Sequence, residues 1–405
     1  MPTGGESMVY RPARSEADVA EYARVLSHAF GRPESTSQGW LARYSPSEMR
    51  VMCRGDEVLA GLLLFEKGQF WGGRSVPMVG VGAVGVMPEA RGKALATRLM
   101  RDALLEMRER GMALSCLYPA TQTLYRAVGY EQAGHRFEVR VPLHRIMLRE
   151  RGVEMRQATE ADEPAIRALY RAVAAKHPGN IDRAASNWDR IKFPPPERKE
   201  AARAFVMMDG ERISGYIYLA PVVVEGGKHE VHVQDLCAAT PEGWRRLLTF
   251  LAGYSTVGTD LVWHGGPSHP LLLLLDEQPY RLTIRHHWMI RIVDAARALA
   301  ARGYPVGLST ELTIAVRDEV LRGNTGTYRV RLQGGTIDPD ALRGADSEKG
   351  GADIETDACG LACMYSGFMS ASALRDAGMV KGSEESLRRA DAAFAGPAGW
   401  MTDMF

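Results

Sequence analysis

The sequence has few cysteines, no long apolar run and almost no net charge. Its five cysteines (53, 116, 237, 359 and 363) are an odd number without zinc-type spacing, which favours reduced thiols over a disulfide framework. The longest apolar run, residues 271–275, is far too short to cross a bilayer. The first thirty residues lack the pattern of a secretory signal. We therefore expect a cytoplasmic protein without a membrane span.

The charge balance argues against nucleic acid and anionic membranes as partners. Lys plus Arg number 50 and Asp plus Glu 49, so the formal net charge is +1. This gives no electrostatic reason to expect binding to nucleic acid or to an anionic membrane. The histidines at 264, 269, 286 and 287 lack a carboxylate or third ligand at a helpful spacing. No metal site is expected from them.

Two stretches within residues 8–292 repeat one order of elements. At 405 residues the chain exceeds what one hydrophobic core usually supports. "YRPARSEADVAEYARVL" and "MRQATEADEPAIRALY" each predict a strand and then a capping box, at residues 15–18 and 159–162, that starts a helix. Each continues with a hairpin, an apolar strand, Pro-Glu and an amphipathic helix. The repeat predicts two copies of one α/β module.

From Asp294 the pattern changes. A helical "DAARALAARGY" leads to the alternating strands "ELTIAVRD" and "TYRVRL", and then to an apolar and a charged helical stretch. These features predict a separate α+β domain. The expected division is a first α/β module at residues 1–150, a second at 151–293, and the α+β domain at 294–405.

Only the first copy carries a phosphate-binding signal. After the predicted strand 81–86 comes "PEARGKALA", a turn of small residues into a helix. Free N–H groups at a helix N-terminus bind pyrophosphate, and Arg91 and Lys93 supply countercharge. The same turn in the second copy contains Trp244, so no nucleotide site is expected there. The alternative for the first copy is a solvated helix end with two basic residues.

This motif is similar to the acetyl-CoA-binding motif of the GNAT N-acetyltransferases, Arg/Gln-x-x-Gly-x-Gly/Ala. Arg91 and Ala96 match its ends, and Ala94 replaces its first glycine. Since alanine is well tolerated in the first turn of a helix, we expect weaker rather than abolished binding. The resemblance implies cofactor contacts from Val84, Gly85, Val86, Arg91, Gly92, Lys93, Ala94, Leu95, Ala96 and Ala120.

A second segment, "LYRAVGY", is similar to the family's segment that carries a tyrosine near the thioester sulfur. By this resemblance Tyr125 would be that tyrosine, whereas Tyr130 is expected in the core. The alternative for Tyr125 is also a core aromatic on a short helix.

The whole chain resembles a narrower family. A GNAT module, a degenerate GNAT module and a sterol-carrier-protein-like domain that ends in Phe resemble the Eis (enhanced intracellular survival) acetyltransferases. In that family the C-terminal carboxylate, carried here by Phe405, enters the active site as proton acceptor. Phe30 and Trp40 would line the acceptor pocket, but Ala29 replaces an acid found in some relatives, which weakens an aminoglycoside assignment. The resemblance also implies a homohexamer.

The reaction implied is direct transfer of an acetyl group from acetyl-CoA, as co-substrate, to a primary amine. Tyr125 would act as general acid and Phe405 as base, and a backbone N–H near Val86 would stabilise charge on the thioester oxygen. The acceptor would be an aminoglycoside or a polyamine; the alternatives are a protein lysine or a small metabolite. A non-catalytic lipid or small-molecule carrier with vestigial GNAT modules is the rival of a different class.

Overall fold

A computed structural model describes residues 8–194, 201–220, 227, 229–338 and 351–405. Within these residues the first module opens with β1 and a helix that begins at the predicted capping residue. The Ser15 hydroxyl accepts a hydrogen bond from the Asp18 N–H at 3.2 Å, and Gly31 ends the helix in the left-handed conformation. The elements of this module are β1 (Met8–Pro12), α1 (Glu16–Phe30), α2 (Glu34–Leu41), β2 (Met49–Arg54), β3 (Glu57–Trp71), β4 (Arg74–Val86), α3 (Leu95–Glu109), β5 (Leu114–Leu117), α4 (Gln122–Arg126) and β6 (Glu131–Pro142).

The second module repeats this order. Its predicted capping box, Thr159 with Asp162, is present in full and precedes the first helix of the module. Its elements are β7 (Glu154–Gln157), α5 (Glu163–Ala174), β8 (Ile181–Asp182), α6 (Ala185–Lys192), β9 (Arg203–Asp209), β10 (Arg212–Ala220), β11 (His229–Ala238), α7 (Pro241–Ala252), β12 (Gly258–His264) and β13 (Arg281–Ile292).

The two modules exchange their last strands. The strand order of the large sheet is β1-β2-β3-β4-β5-β13-β6-β12-β11-β10-β9-β7, and β8 pairs with β3. Strand β13 of the second module therefore lies between β5 and β6 of the first, and β6 lies between β13 and β12. This pairing joins both modules in one continuous sheet, a feature that the sequence repeat does not predict.

The third domain is the predicted α+β unit. Its elements are α8 (Ala295–Ala301), β14 (Thr310–Arg317), β15 (Gly326–Gln333), β16 (Thr336–Ile337), β17 (Ile354–Asp357), α9 (Ala358–Ser366), α10 (Ala371–Asp376), β18 (Val380–Gly382) and α11 (Glu384–Ala393). The sheet order is β16-β15-β14-β17-β18. A buried ion pair between Arg291 of β13 and Asp318, at 2.7 Å, ties this domain to the exchanged strand. The predicted fold class, two α/β modules followed by an α+β domain, is confirmed.

Candidate active site

The candidate site begins where β4 and β5 part. The two strands pair in parallel as far as Val81 and Leu117. Beyond them β4 has a bulge opposite β3, where the pairing skips Ala83 and Val84, and Ala83 has a φ of 52°. The Tyr22 hydroxyl donates a hydrogen bond to the Ala83 carbonyl oxygen at 2.8 Å. Because a bulge bends its strand and ends regular pairing, a cleft opens between β4 and the chain that follows β5.

The predicted cofactor residues of β4 and β5 border this cleft. Val84 and Val86 are half-buried after the bulge. Gly85 faces α1, since a Cβ atom there would lie 3.1 Å from Leu26. Ala120 is exposed in the bend that follows β5.

The turn before α3 presents free donors and free cations. Helix α3 begins at Leu95 without a side-chain cap, and the first N–H groups of a helix have no partner within it. Arg91 and Lys93 are exposed, and neither forms an ion pair or side-chain hydrogen bond with a described residue. Gly92 has a φ of 74° and open space around it. These donors and charges fit the pyrophosphate of acetyl-CoA.

Ala94 differs from the expectation for it. It lies outside the first helical turn and caps α3 in the left-handed conformation, with φ 56° and ψ 17°. The argument that alanine is tolerated there because it is helical was therefore wrong. A residue with a Cβ atom costs about 1 kcal/mol in this conformation, a cost that glycine does not have.

Tyr125 and Tyr130 have different surroundings. Tyr125 lies in α4, which contacts α3, and burial raises the pKa of its hydroxyl to about 12. Among the described residues this hydroxyl has no hydrogen-bond partner. The Tyr130 hydroxyl is fully buried and lies 2.7 Å from the Ser115 hydroxyl. Tyr130 thus has the surroundings of a core residue, and Tyr125 those of an available proton donor.

The C-terminal segment, residues 399–405, runs into the first module. Trp400 forms a parallel bridge with His135 of β6, and the Met401 N–H donates to the His135 carbonyl oxygen at 3.3 Å. Phe405 is only 8% exposed. A Cβ atom on Gly82 would lie 3.5 Å from the carboxylate carbon of Phe405. The C-terminal carboxylate therefore lies beside the bulge of β4.

Buried polar contacts hold the C-terminal segment. The Arg183 guanidinium donates to both carboxylate oxygens of Asp403, at 3.0 and 3.1 Å, and to those of Asp235, at 2.5 and 3.0 Å. Burial raises the pKa of Asp403, but Arg183 outweighs it and keeps the pKa below its usual value. The Tyr118 hydroxyl donates to the Asp403 carbonyl oxygen at 2.6 Å. Residues of both modules thus fix the segment.

Two glycines leave the space that the C-terminal segment occupies. A Cβ atom on Gly80 would lie 2.7 Å from the Phe405 ring, and one on Gly134 would lie 2.3 Å from the Gly399 carbonyl oxygen. The sequence carries a signal for this docking, because β4 contains "GVGAVG", with three glycines inside one strand. Glycine within a strand often marks the close approach of another backbone or a ligand. The spacing itself matches a nucleotide-binding pattern, but that pattern requires a turn between strand and helix.

A row of aromatic rings leads to Phe405. The ring centroids are 4.9 Å apart between Trp40 and Tyr44, 5.1 Å between Tyr44 and Phe65, and 6.4 Å between Phe65 and Phe405. Phe30 is 43% exposed at the end of α1 and is not part of this row. The structure thus joins Trp40 to the C-terminal segment through two rings that the sequence analysis missed, because locally they resemble any core aromatics.

Three family models match the chain in the order of its domains. An acetyltransferase (GNAT) domain matches residues 9–133, another acetyltransferase (GNAT) domain matches residues 179–292, and a sterol carrier protein domain matches residues 295–402. The crystal structure of Eis1 from Mycobacterium abscessus has the same fold, with a TM-score of 0.78 over 98% of this chain and 100% of that chain, at 22% identity. The chain therefore contains two GNAT acetyltransferase domains followed by a sterol carrier protein domain, the domain order that the resemblance to the Eis family predicts.

Other relatives support the acetyltransferase class. An uncharacterized N-acetyltransferase from Streptomyces avermitilis is 28% identical over 328 residues, which cover 76% of this chain and 77% of the relative. The crystal structure of a GCN5-related N-acetyltransferase from Anabaena variabilis is 29% identical, with a TM-score of 0.90 over 98% of this chain and 100% of that one. The prediction of an acetyltransferase is confirmed. Acetyl-CoA is the usual co-substrate of GNAT domains.

The second module of the chain differs at the start of its corresponding helix. The Thr240 hydroxyl accepts a hydrogen bond from the Gly243 N–H at 3.1 Å, and the Trp244 ring packs against His269 with centroids 5.2 Å apart. One helix donor is thus occupied. Trp244 lies inside α7, which begins at Pro241, so the prediction that it lies in a turn before the helix was wrong. Over the described ranges no cluster of three His, Cys, Asp or Glu residues could hold a metal ion. No helix in that part of the chain combines the length and apolar content of a membrane span.

Proposed function

We propose that this acetyltransferase moves an acetyl group from acetyl-CoA directly to a primary amine within a ternary complex, with Phe405 as proton acceptor and Tyr125 as proton donor. Acetyl-CoA supplies the acetyl group as an activated thioester. The attacking amine must lose a proton, and the departing sulfur gains from receiving one. The observation that carries the proposal is the position of the Phe405 carboxylate beside the bulge of β4.

The surroundings of the Phe405 carboxylate support a role as base. Among the described residues neither carboxylate oxygen accepts a hydrogen bond or pairs with a cation. A carboxylate neutralised by an arginine would be a weak base, but Arg183 is already engaged by Asp403 and Asp235. The strand residues 79–86 offer no Asp, Glu or His in its place.

The surroundings of Tyr125 support a role as acid. Because burial raises its pKa to about 12, the hydroxyl keeps its proton at neutral pH. Since no described residue uses that proton in a hydrogen bond, it is available to a group bound in the cleft. Tyr125 lies in α4, which contacts α3, the helix that follows the turn proposed to bind the pyrophosphate.

The row of aromatic rings supports an acceptor site on the side of α2. Trp40 and Tyr44 would flank an amine that approaches Phe405. An aminoglycoside, a polyamine, a protein lysine and a small metabolite all carry a suitable amine. The homohexamer stays a prediction from the family resemblance, and the cytoplasmic location stays a prediction from the cysteine usage and the lack of a secretory signal.

Extension of the chain beyond Phe405 tests this proposal. A few residues, such as Gly-Ser-Gly-Ser, would replace the free carboxylate by an amide and move the new terminus away. We expect at least a hundredfold lower kcat, measured by thiol release from acetyl-CoA, with the thermal stabilisation by acetyl-CoA retained. The same residues added before Met1 are the control and should leave kcat unchanged. Full activity of the extended protein would show that another group is the base.

A further inference from the structure

A cavity of about 460 Å³ lies beside the C-terminal segment. Residues of β6, α6, β11 and β12 form most of its lining, and residues 402–404 of the segment form one wall. Both modules therefore contribute residues to the lining of the cavity. The lining also includes Met404, the residue next to Phe405.

Two arginines in this lining have no acidic partner. Arg136 is largely buried, and burial lowers the pKa of its guanidinium. Its Nε donates to the Thr402 carbonyl oxygen at 2.8 Å. Arg190 of α6 is half-buried. Within the described residues neither guanidinium pairs with a carboxylate. Burying a cation without an anion costs free energy, so these two guanidinium groups are suited to bind an anion.

The acidic groups of the same lining are engaged elsewhere. Asp403 is held by Arg183, and Glu138 accepts three hydrogen bonds from Arg285 at 2.9–3.0 Å. Burial lowers the pKa of His264 to about 3, so this ring is neutral. Arg136 and Arg190 are therefore the two arginines of the lining that no described carboxylate pairs with.

A third cation connects the cavity with Phe405. The Lys67 ammonium donates to the Asn187 side chain, which lines the cavity, at 2.7 Å. The same ammonium lies 5.5 Å from the centroid of the Phe65 ring, which in turn packs against Phe405. Lys67 thus lies between the lining of the cavity and the aromatic ring that packs against Phe405.

We propose that the acceptor is an amine that also carries an anionic group, a carboxylate or a phosphate, bound by Arg136 and Arg190. This inference rests on the proposed function and names its substrate class. The ammonium end of such a molecule is attracted by the Phe405 carboxylate, whereas its anionic end pairs with the two guanidinium groups. Phe405 takes one proton from the ammonium, and the free amine then attacks the thioester. The N–C bond forms as the C–S bond breaks, and the Tyr125 proton passes to sulfur. The second proton of the nitrogen is released to water, and the proton on Phe405 returns to Tyr125. A polycation meets repulsion in this cavity.

Acceptors of matched length test the inference. 4-Aminobutanoate and 1,4-diaminobutane differ only in whether the far end is a carboxylate or an amine, and 2-aminoethyl phosphate tests the phosphate form. We expect kcat/KM for one anionic amine to exceed that for 1,4-diaminobutane by about tenfold or more, the size of a charge-assisted hydrogen bond. Whichever anionic amine is preferred identifies the group that the cavity binds.

The Arg190→Gln variant tests whether Arg190 causes the preference for the anionic amine. The variant should remove it by raising KM for the anionic amine, with a kcat/KM for 1,4-diaminobutane that is equal to or higher than that of wild type and little change in KM for acetyl-CoA. The control is Arg245→Gln, because Arg245 is exposed on α7 and does not line the cavity; it should behave as wild type. Thermal unfolding of each variant verifies its fold.

Three results would overturn the inference: a preference for 1,4-diaminobutane, no acetylation of either anionic amine, or an unchanged preference in Arg190→Gln. Thermal stabilisation by acetyl-CoA in the same preparation separates these results from a failure of the proposed function. If acetyl-CoA stabilises the protein and 1,4-diaminobutane is acetylated, the acetyltransfer proposal stands while the anionic acceptor is rejected.

Discussion

At the scale of single residues, two tyrosines in one short motif have opposite surroundings. Tyr125 has a hydroxyl without a partner near α3, whereas the Tyr130 hydroxyl is hydrogen-bonded to Ser115. The sequence predicted this division from the family motif. Local pattern alone could not separate them, because both are buried aromatic residues and only the long-range contact with Ser115 distinguishes them.

Tyr125→Phe removes the proposed acid and leaves the ring in its packing. We expect kcat to fall by about a hundredfold, within the usual range for a general acid, with little change in the affinity for acetyl-CoA. Tyr130→Phe is the matched control; it should lose about 1 kcal/mol of stability through its buried hydrogen bond and keep its kcat. Steady-state thiol release and thermal unfolding measure both variants. Equal turnover of Tyr125→Phe and wild type would remove Tyr125 from the mechanism.

Ala94→Gly should improve the turn before α3. The left-handed conformation of Ala94 is free of strain for glycine, so we expect a gain of about 0.5–1 kcal/mol in stability and a lower KM for acetyl-CoA. Ala96→Gly is the control, since Ala96 lies inside α3, where glycine costs about 0.5–1 kcal/mol. Thermal unfolding and acetyl-CoA titration distinguish the two. A destabilised Ala94→Gly would contradict the conformation described for this turn.

At the scale of elements, β4 has two separate functions. After its bulge it borders the cleft, and before the bulge it receives the ring of Phe405 against Gly80. Helices and strands followed from periodicity and capping residues, as with the capping box at Thr159 that precedes α5. The docking of the C-terminal segment could not be predicted from such local patterns, because it depends on contacts between residues hundreds of positions apart.

Gly80→Ala should displace the C-terminal segment from β4. The new methyl group would lie 2.7 Å from the Phe405 ring, and the strand cannot move away without losing its pairing with Phe65. We expect kcat to fall by at least about tenfold. Phe405→Ala keeps the carboxylate but removes the ring. In a double-mutant cycle, Gly80→Ala should lower kcat and stability much less in the Phe405→Ala background than in wild type, with a coupling energy of about 1 kcal/mol or more. Additive effects in thermal unfolding and in kcat would show that the ring does not lie there.

At the scale of the whole molecule, the second module supports the first although it lacks a comparable pyrophosphate turn. It supplies β13 to the sheet between β5 and β6, and it supplies Arg183 and Asp235, which hold Asp403. The sequence repeat predicted two modules but not their exchange, because a repeat specifies the elements of each copy and not which copies pair. The proposed boundaries at residues 150 and 293 therefore divide the sequence without dividing the sheet.

Residues 1–150 alone should not form a stable catalytic domain. Without β13, strands β5 and β6 lose the partner that lies between them, and unpaired strand edges favour aggregation. Thermal unfolding followed by circular dichroism should show no cooperative transition for this fragment and a single one for the full chain. Joint expression with residues 151–405 should restore a soluble complex and thiol release, since that fragment supplies both β13 and Phe405. A cooperatively folded, acetyl-CoA-binding fragment of residues 1–150 would instead show that the exchanged strand is dispensable for the first module.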